Sequence, residues 1–416
     1  MATNKSVKNK LFVMMILEIA IWGAWQIKLF SYMPMLGFET WQINLAGSMF
    51  GIASIVGIFF SNQFADRNFA AEKFLAFSHL VGGIALVATA FMTSFWPFFI
   101  CFLIYGLLYV PTLSVTNALA FANLKDPANE FGFVRMGGTV GWIIVSCPFF
   151  FFLSGEQTIE QMRWIFLVGA IISFALAAFS LTLPHTPPNK DAEGEGLAWL
   201  KAFKLLKHPY ILILFIVTFI DSTIHNGYFV LIDGFLTDAV KLEPNVTMVI
   251  TTIGQVAEIV AMLILGKVLV RLGWKWTMIV GIFGHAARFA VFAYCGDASF
   301  QWLIILIQVL HGICYAFFFA TLYIFVDAVF PKDIRTSAQG MFNLLVLGIG
   351  LVVANFWFGS LKAKLTSAEG VVDYEKLFLV PTGLAILGMV LLLFFFKPPS
   401  DRPVAESSDS AAPHGF

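Results

Sequence analysis

A glutamine and a glutamate interrupt the apolar stretch TTIGQVAEIVAML, which covers residues 251–263. In a helix, Gln255 and Glu258 lie three residues apart and therefore share one face. A charged side chain at the centre of a membrane-spanning helix costs ~2.5–3.5 kcal/mol on insertion scales, so it normally faces an interior polar site. The pair therefore indicates a site for a polar molecule or a proton inside the membrane.

Three further apolar segments carry polar and aromatic side chains at helical spacing. These candidate binding residues are Arg135, Thr139 and Trp142 in VRMGGTVGW, Thr223 and Asn226 in DSTIHNGYF, and His311 and Tyr315 in HGICYAFFF. Together with Gln255 and Glu258, such groups can hydrogen-bond several hydroxyls while a planar ring stacks on the aromatic faces. Gly137 and Gly141 in the first of these segments form a small-residue pair that suits close helix packing.

Structural alternatives exist for each of these residues. Arg135 equally fits an anchor for lipid phosphate, and the other polar and aromatic residues fit helix–helix hydrogen bonding or core packing. For Glu258 the alternative is a structural ion pair or a carboxyl group that stays protonated. Burial favours the neutral carboxyl group and a nearby arginine favours the charged one, so Glu258 is our leading candidate for a proton carrier. The reserve candidates within spans are Asp221, Glu18 and Asp327.

The composition excludes an ordinary soluble fold. Of the 416 residues, 59% are hydrophobic and 12% are charged, whereas soluble domains have about 45–50% apolar and about 25% charged residues. We therefore predict an all-α integral membrane protein in a lipid bilayer. The net charge of zero gives no indication of a nucleic-acid partner. The four cysteines lie in apolar runs without paired spacing, so we expect neither a metal site nor a cofactor.

Twelve apolar segments are long enough to span a bilayer. They cover residues 11–36, 41–63, 73–93, 96–122, 135–154, 163–184, 208–235, 246–270, 275–294, 301–329, 335–360 and 377–397. With both termini and the even-numbered loops on one side, that side receives 18 of the 25 lysines and arginines. Positive charge marks the cytoplasmic face, so we predict that both termini are cytoplasmic.

The longest polar stretch separates the sixth span from the seventh. We expect an N-terminal six-helix bundle in 1–184 and a C-terminal six-helix bundle in 208–397. Residues 185–207 form a cytoplasmic linker, in which LAWLKAFKLLK has the pattern of an amphipathic surface helix, and residues 398–416 form a disordered tail. This layout resembles the major facilitator superfamily, and the loop pair Asp66 and Arg67 matches that superfamily's Asp-Arg signature. The resemblance implies a gating role for the pair, whereas a solvated ion pair is the alternative.

Five longer strings narrow the resemblance. IWGAW, YVPTLSVTNALAFAN, VRMGGTVGW, GQVAE and VDAVFPKDIRTSAQGMF occur in that order. With them, the chain resembles the nucleoside:proton symporter family of bacterial permeases from about residue 11 to residue 397. The resemblance implies a multi-pass, monomeric permease of the cytoplasmic membrane that imports nucleosides with protons by alternating access. The residues that match the family's binding positions are Arg135, Thr139, Trp142, Asn226, Gln255, Glu258, His311 and Tyr315.

Two positions depart from the family pattern. Thr223 stands where relatives have a glutamine, so the contacts to ribose or base are expected to differ. Ala316 stands where the family commonly has an aspartate after the tenth-span aromatic residue, which leaves Glu258 as the leading proton carrier. Nucleoside transport without proton coupling is therefore one alternative, and transport of another small polar solute such as a sugar is a second.

Two other classes fit the sequence less well. An enzyme within the membrane would need a nucleophile or metal-ligand motif, and none is present. A receptor without transport activity would be expected to carry a signalling domain, whereas the C-terminal tail is short and polar. We therefore predict a transporter.

Overall fold

The computed structural model describes residues 3–57, 69–155, 157–188, 203–330 and 332–399. Its helices are α1 (Lys5–Met35), α2 (Thr40–Gly47), α3 (Met49–Val56), α4 (Ala71–Phe91), α5 (Phe95–Asn123), α6 (Pro127–Phe152), α7 (Ile159–Ser180), α8 (Pro209–Ala239), α9 (Thr247–Tyr294), α10 (Ala298–Val329), α11 (Ala338–Lys364) and α12 (Tyr374–Phe395). Within these ranges, ten helices are long and apolar enough to cross a membrane. Asp66, Arg67, most of the predicted linker and nearly all of the predicted tail lie outside the described residues.

Large apolar side chains cover the outside of the helices. Phe151, Leu181 and Leu263 are among the most exposed, with 77%, 68% and 75% of their surface accessible. Such exposure would be unfavourable in water but matches contact with lipid chains. The all-helical membrane architecture is therefore confirmed.

The buried apolar residues form two separate cores. One core runs from Leu11 to Leu183 and also includes Met248 and Leu351. The second runs from Ile211 to Phe396. We call the helices around the first core the N-terminal bundle, α1–α7, and those around the second the C-terminal bundle, α8–α12.

Helix α9 changes direction at Gly273, where the backbone has a φ of 76° and a ψ of 176°. Only glycine adopts this region without strain, because it lacks a Cβ atom. The sequence predicts separate spans over 246–270 and 275–294, and the kink falls between them.

Helices α1 and α6 touch through the predicted small-residue pair. A Cβ atom on Gly141 would lie 2.1 Å from the Ile16 carbonyl oxygen, and one on Gly137 would lie 2.6 Å from the Phe12 carbonyl oxygen. The two backbones are therefore as close as van der Waals contact allows, which confirms the packing role of both glycines. This contact fixes the face of α6 that carries Arg135 and Trp142.

Candidate functional site

Three candidate residues meet where the two bundles face each other. Arg135 on α6 interacts electrostatically with Glu258 on α9, and both interact with Tyr315 on α10. All three side chains are half-buried, and Arg135 and Glu258 do not form a direct ion pair. We call Arg135, Glu258 and Tyr315 the central site, because they are within electrostatic range of one another and no side-chain hydrogen bond of the described chain occupies them.

Glycine creates the space for the arginine of the central site. A Cβ atom on Gly138 would lie 2.8 Å from Nη1 of Arg135, so a larger residue would displace the guanidinium group. One and two turns further along α6, Thr139 and Trp142 are buried, with 8% and 5% of their surface exposed. Helix α6 therefore presents a cation, a hydroxyl group and an indole ring on the face predicted from the sequence.

Aromatic rings join the bundles beside the central site. Trp142 lies 5.7 Å from Trp22 in an edge-to-face arrangement and 6.1 Å from Phe229 of the C-terminal bundle. Trp22 in turn stacks on Phe50 with ring centroids 4.5 Å apart. The indole N–H of Trp142 is buried without a hydrogen-bond partner in the described chain. The four rings form a wall of the site that provides apolar faces, and the N–H of Trp142 is its one unused donor in the described chain.

A close helix crossing positions Glu258 against α10. A Cβ atom on Gly312 would lie 2.1 Å from the backbone nitrogen of Glu258 and 2.3 Å from the carbonyl oxygen of Gly254. Gly254 in turn faces His311. The backbones of α9 and α10 therefore touch at the level of Glu258, and Tyr315 lies one turn beyond this crossing on α10.

The candidate residues of α8 are held in different ways. Asn226 is half-buried, and its Nδ2 donates to the carbonyl oxygens of Ser222 at 2.8 Å and Val346 at 3.2 Å. Thr223 is buried, and its hydroxyl donates to the carbonyl oxygen of Phe219. Within the described chain, Asn226 keeps its amide oxygen free to accept a hydrogen bond, whereas Thr223 is tied to its own helix.

His311 packs inside the C-terminal bundle. It is 2% exposed, stacks on His225 with centroids 4.9 Å apart, and lies 4.6 Å from the ring of Tyr228. Tyr315 lies 5.8 Å from His225 on the side of the central site. Gln255 is half-buried one turn from Glu258. The ring of His311 is thus held by its aromatic neighbours, whereas Gln255 and Tyr315 are only half-buried.

The reserve carboxyl groups lie apart from the central site. Glu18 is buried in the N-terminal bundle, where its Oε2 lies 2.9 Å from Nε2 of His79 and its Oε1 accepts from Thr112 at 2.6 Å. Asp221 is buried in the C-terminal bundle, and Asp327 lies near the end of α10. The pairing of Glu18 with His79 is not visible in the sequence, where His79 is a lone histidine in an apolar run.

A second polar contact joins the bundles away from the central site. Lys28 lies between the two helical segments of α1, and its Nζ is 2.9 Å from Oδ1 of Asp233 on α8. The same Nζ donates to the carbonyl oxygen of Pro244, and Asp233 also accepts from the hydroxyls of Ser31 and Thr247. Lys28 is completely buried and Asp233 is 2% exposed. We call Lys28 and Asp233 the inter-bundle ion pair.

The described residues contain no group of three or more histidine, cysteine, aspartate or glutamate side chains that could hold a metal ion. The site therefore consists of hydrogen-bonding groups, two opposite charges and aromatic faces. Such a set can bind a polar molecule with a planar ring, and it can bind protons.

Comparisons with known proteins give one consistent result. The sequence model of the family described as "Nucleoside H+ symporter" matches residues 5–401. The chain is 30% identical over 411 residues to the putative nucleoside transporter YegT of Escherichia coli (strain K12), covering 96% of each chain. It is 28% identical over 408 residues to the nucleoside permease NupG of the same organism, covering 94% of this chain and 96% of NupG. The crystal structure of NupG matches with a TM-score of 0.81 at 26% identity, covering 94% of this chain and 99% of that chain.

Proposed function

Because the chain belongs to the nucleoside H⁺ symporter family, we propose that it imports nucleosides together with protons through the interface between its two bundles. It is a transporter of the cytoplasmic membrane and not an enzyme. One observation carries the choice of site: Arg135 of one bundle interacts electrostatically with Glu258 and Tyr315 of the other. A ligand bound there contacts both bundles, so its binding depends on how the bundles are placed relative to each other.

The proposal includes twelve spans with both termini in the cytoplasm. Helices α2 and α3 contribute to the second span, and α9 provides the eighth and ninth on either side of Gly273. The division of the chain is an N-terminal bundle in 1–184, a linker in 185–207, a C-terminal bundle in 208–397 and a tail in 398–416. The two buried cores, which end at Leu183 and begin again at Ile211, support this division.

The roles of the binding residues follow from their chemistry. Glu258, Gln255 and Asn226 bind ribose hydroxyls or base edges, because carboxylate and amide groups hydrogen-bond both. Arg135 and Thr139 complete the polar side of the site. The base stacks on Trp142 and Tyr315. His311 and Thr223 support the site from behind, since both are buried and held by protein neighbours.

Transport proceeds by alternating access, in which the bundles rock about the central site. The inter-bundle ion pair holds the bundles together at one end, which in the proposed orientation is the outer end. Opening to the outside then requires Lys28 and Asp233 to separate. Asp66 and Arg67 remain our proposed gating pair on the cytoplasmic side. Protons enter through one of the carboxyl groups Glu258, Asp221, Glu18 and Asp327.

The first test replaces Glu258 by glutamine. The amide has the shape of the carboxyl group but no charge, and a hydrogen bond to a charged group contributes about 1.5–3 kcal/mol. We therefore expect nucleoside binding to weaken about 10- to 100-fold, because every 1.4 kcal/mol corresponds to a factor of about ten. Binding of labelled uridine and adenosine to the purified protein, and their uptake by a transport-deficient cell, measure the effect.

The matched control is Glu243→Gln, because Glu243 is an exposed glutamate in the loop before α9. It should bind and transport as the unaltered protein does. Competition by unlabelled nucleosides but not by hexoses is expected, and competition by hexoses alone would contradict the proposed substrate class. Unchanged binding in Glu258→Gln would remove Glu258 from the site, and unchanged pH-dependent accumulation would remove it from proton coupling.

A further inference from the structure

A second charged group lies inside the C-terminal bundle, separate from the central site. Asp221 on α8 and His285 and Arg288 on α9 have no exposed surface. An aspartate and an arginine buried this deeply are costly unless their charges are balanced and their hydrogen bonds are made. We call these three residues the Asp221 network.

The three side chains form a chain with His285 in the middle. Nη2 of Arg288 lies 3.2 Å from Nδ1 of His285, and Nε2 of His285 lies 3.8 Å from Oδ1 of Asp221. Arginine only donates hydrogen bonds, so Nδ1 of His285 is the acceptor and the ring proton lies on Nε2. The N–H of His285 therefore faces the carboxyl group of Asp221, but 3.8 Å is too long for a hydrogen bond.

The network is incomplete at its acidic end. Neither carboxyl oxygen of Asp221 has a hydrogen-bond partner in the described chain, and Nε and Nη1 of Arg288 also lack one. Buried polar atoms in folded proteins are nearly always satisfied, so a group of unsatisfied atoms requires an explanation. A proton is the smallest ligand that would relieve this site, because it neutralises a buried carboxylate that no donor of the described chain stabilises.

Arg288 has partners that do not depend on the charge of Asp221. Its guanidinium group lies 4.3 Å from the centroid of the Tyr228 ring and 5.0 Å from that of Phe289. Such cation–π contacts hold a buried positive charge. The arginine can therefore keep its place when the aspartate is neutral, which gives the network two stable charge states.

Histidines connect the network to the central site. His225 lies 5.8 Å from His285, stacks on His311 and lies 5.8 Å from Tyr315 of the central site. Nδ1 of His225 and Nδ1 of His311 are also without partners in the described chain. Histidine side chains take up and release protons in the physiological pH range, and these rings lie between the two sites.

Two further titratable side chains, Cys314 and Tyr228, lie beside the network. Cys314 on α10 interacts electrostatically with both Arg288 and Asp221, and Tyr228 donates its hydroxyl proton to Oε1 of Gln308 at 2.9 Å. Among the described groups with which Arg288 interacts, Asp221 is the one carboxyl group. It is therefore the acidic group whose protonation would remove a negative charge beside Arg288.

We propose that Asp221, placed beside His285 and Arg288, binds the cotransported proton, and that His225 and His311 connect it to the central site. The inference rests on the proposed function. In each cycle the carboxylate takes up one proton when the protein is open to the outside, and releases the same proton to the cytoplasm after the bundles have moved. The substrate and the proton then occupy different sites.

The test compares two kinds of transport in vesicles that contain the purified protein. Asp221→Asn cannot bind the proton, so accumulation of labelled nucleoside driven by an acidic outside should fall at least tenfold, as should nucleoside-dependent acidification of the lumen. Exchange of labelled for unlabelled nucleoside at equal pH needs no net proton movement and should stay within about threefold. Asp221→Glu should restore part of the accumulation.

The matched control is Thr218→Val, which alters a buried residue one turn earlier on α8 without changing its shape and should accumulate nucleoside normally. If Asp221→Asn does not fold, the double variant with Arg288→Gln removes both charges and should show the same separation of exchange from accumulation. Normal accumulation in either variant would overturn the proposal, as would an equal loss of exchange in a folded variant. An unaltered protein that accumulates no nucleoside would contradict the proposed function itself.

Discussion

Replacing Lys28 by methionine should destabilise the protein by about 3–5 kcal/mol, because it leaves a buried carboxylate without its partner. Within the described chain, Asp233 would remain 2% exposed and would keep the hydroxyls of Ser31 and Thr247 as hydrogen-bond donors, with Lys362 as a more distant cation. This loss of stability applies to the state in which the two bundles are in contact at the end that carries Lys28 and Asp233. We therefore expect a lower thermal unfolding temperature in detergent and at least a tenfold fall in nucleoside uptake.

The double variant Lys28→Met with Asp233→Asn distinguishes the effect of the unpaired charge from the effect of the altered side-chain shape. Removing both charges from a buried pair costs far less than removing one, so this variant should recover most of the lost stability. Lys364→Met is the matched control, since Lys364 is an exposed lysine of α11. A single variant with the stability and uptake of the unaltered protein would contradict the role of the inter-bundle ion pair.

The same pair tests the proposed movement of the bundles. If opening to the outside separates Lys28 from Asp233, the single variant should spend more time open on that side. Ser31→Cys, introduced into both backgrounds, should then react faster with a membrane-impermeant maleimide when Lys28 is absent. Equal labelling rates would contradict the assignment of this end as a gate.

The membrane architecture was predictable because it depends on composition and segment length. A chain with 59% hydrophobic and 12% charged residues has few alternatives to helical spans. The face of α6 was also predictable, since Arg135 and Trp142 follow helical spacing and Gly137 and Gly141 determine which side meets α1. These features are local, and local patterns are visible in a sequence.

The pairing of buried charges was not predictable, because it depends on which helices become neighbours. Lys28 and Asp233 are 205 residues apart, and the sequence shows each of them only as a charge in an apolar segment. His79 and Glu18 present the same difficulty on a smaller scale. A single sequence carries the cost of burying a charge, but the identity of its partner is a property of the tertiary structure.

Sequence spacing alone does not show how His311 is packed. It is one turn from Tyr315, which suggests that both side chains point into one site. In the structure, a π-helical turn over Tyr315–Ala320 begins at this point, and His311 stacks within the bundle while Tyr315 lies near Glu258. In the vesicle experiments, we expect His311→Asn to reduce accumulation more than exchange, because His311 belongs to the proposed proton connection.

Adding a single methyl group at Gly312 should disrupt the geometry of the central site. Its Cβ atom would lie 2.1 Å from the backbone nitrogen of Glu258 and 2.6 Å from the Glu258 Cα atom. Backbone atoms cannot rotate away as a flexible side chain can, so Gly312→Ala must push α10 away from α9. Overpacking of this kind costs about 1–3 kcal/mol, and it moves Glu258 relative to Tyr315.

The expected result is a lower thermal unfolding temperature together with at least tenfold weaker nucleoside binding, both measured on the purified protein. Gly383→Ala is the matched control, because Gly383 lies on an exposed face of α12 with no atom within 4 Å of its Cβ position. Alanine has the higher helix propensity, so the control should be unchanged or slightly more stable. If binding weakens in Gly312→Ala but not in Gly383→Ala, the contact of α9 with α10 sets the geometry of the site together with the carboxyl group of Glu258. Unchanged binding and stability would mean that the two helices do not cross as closely as this geometry requires.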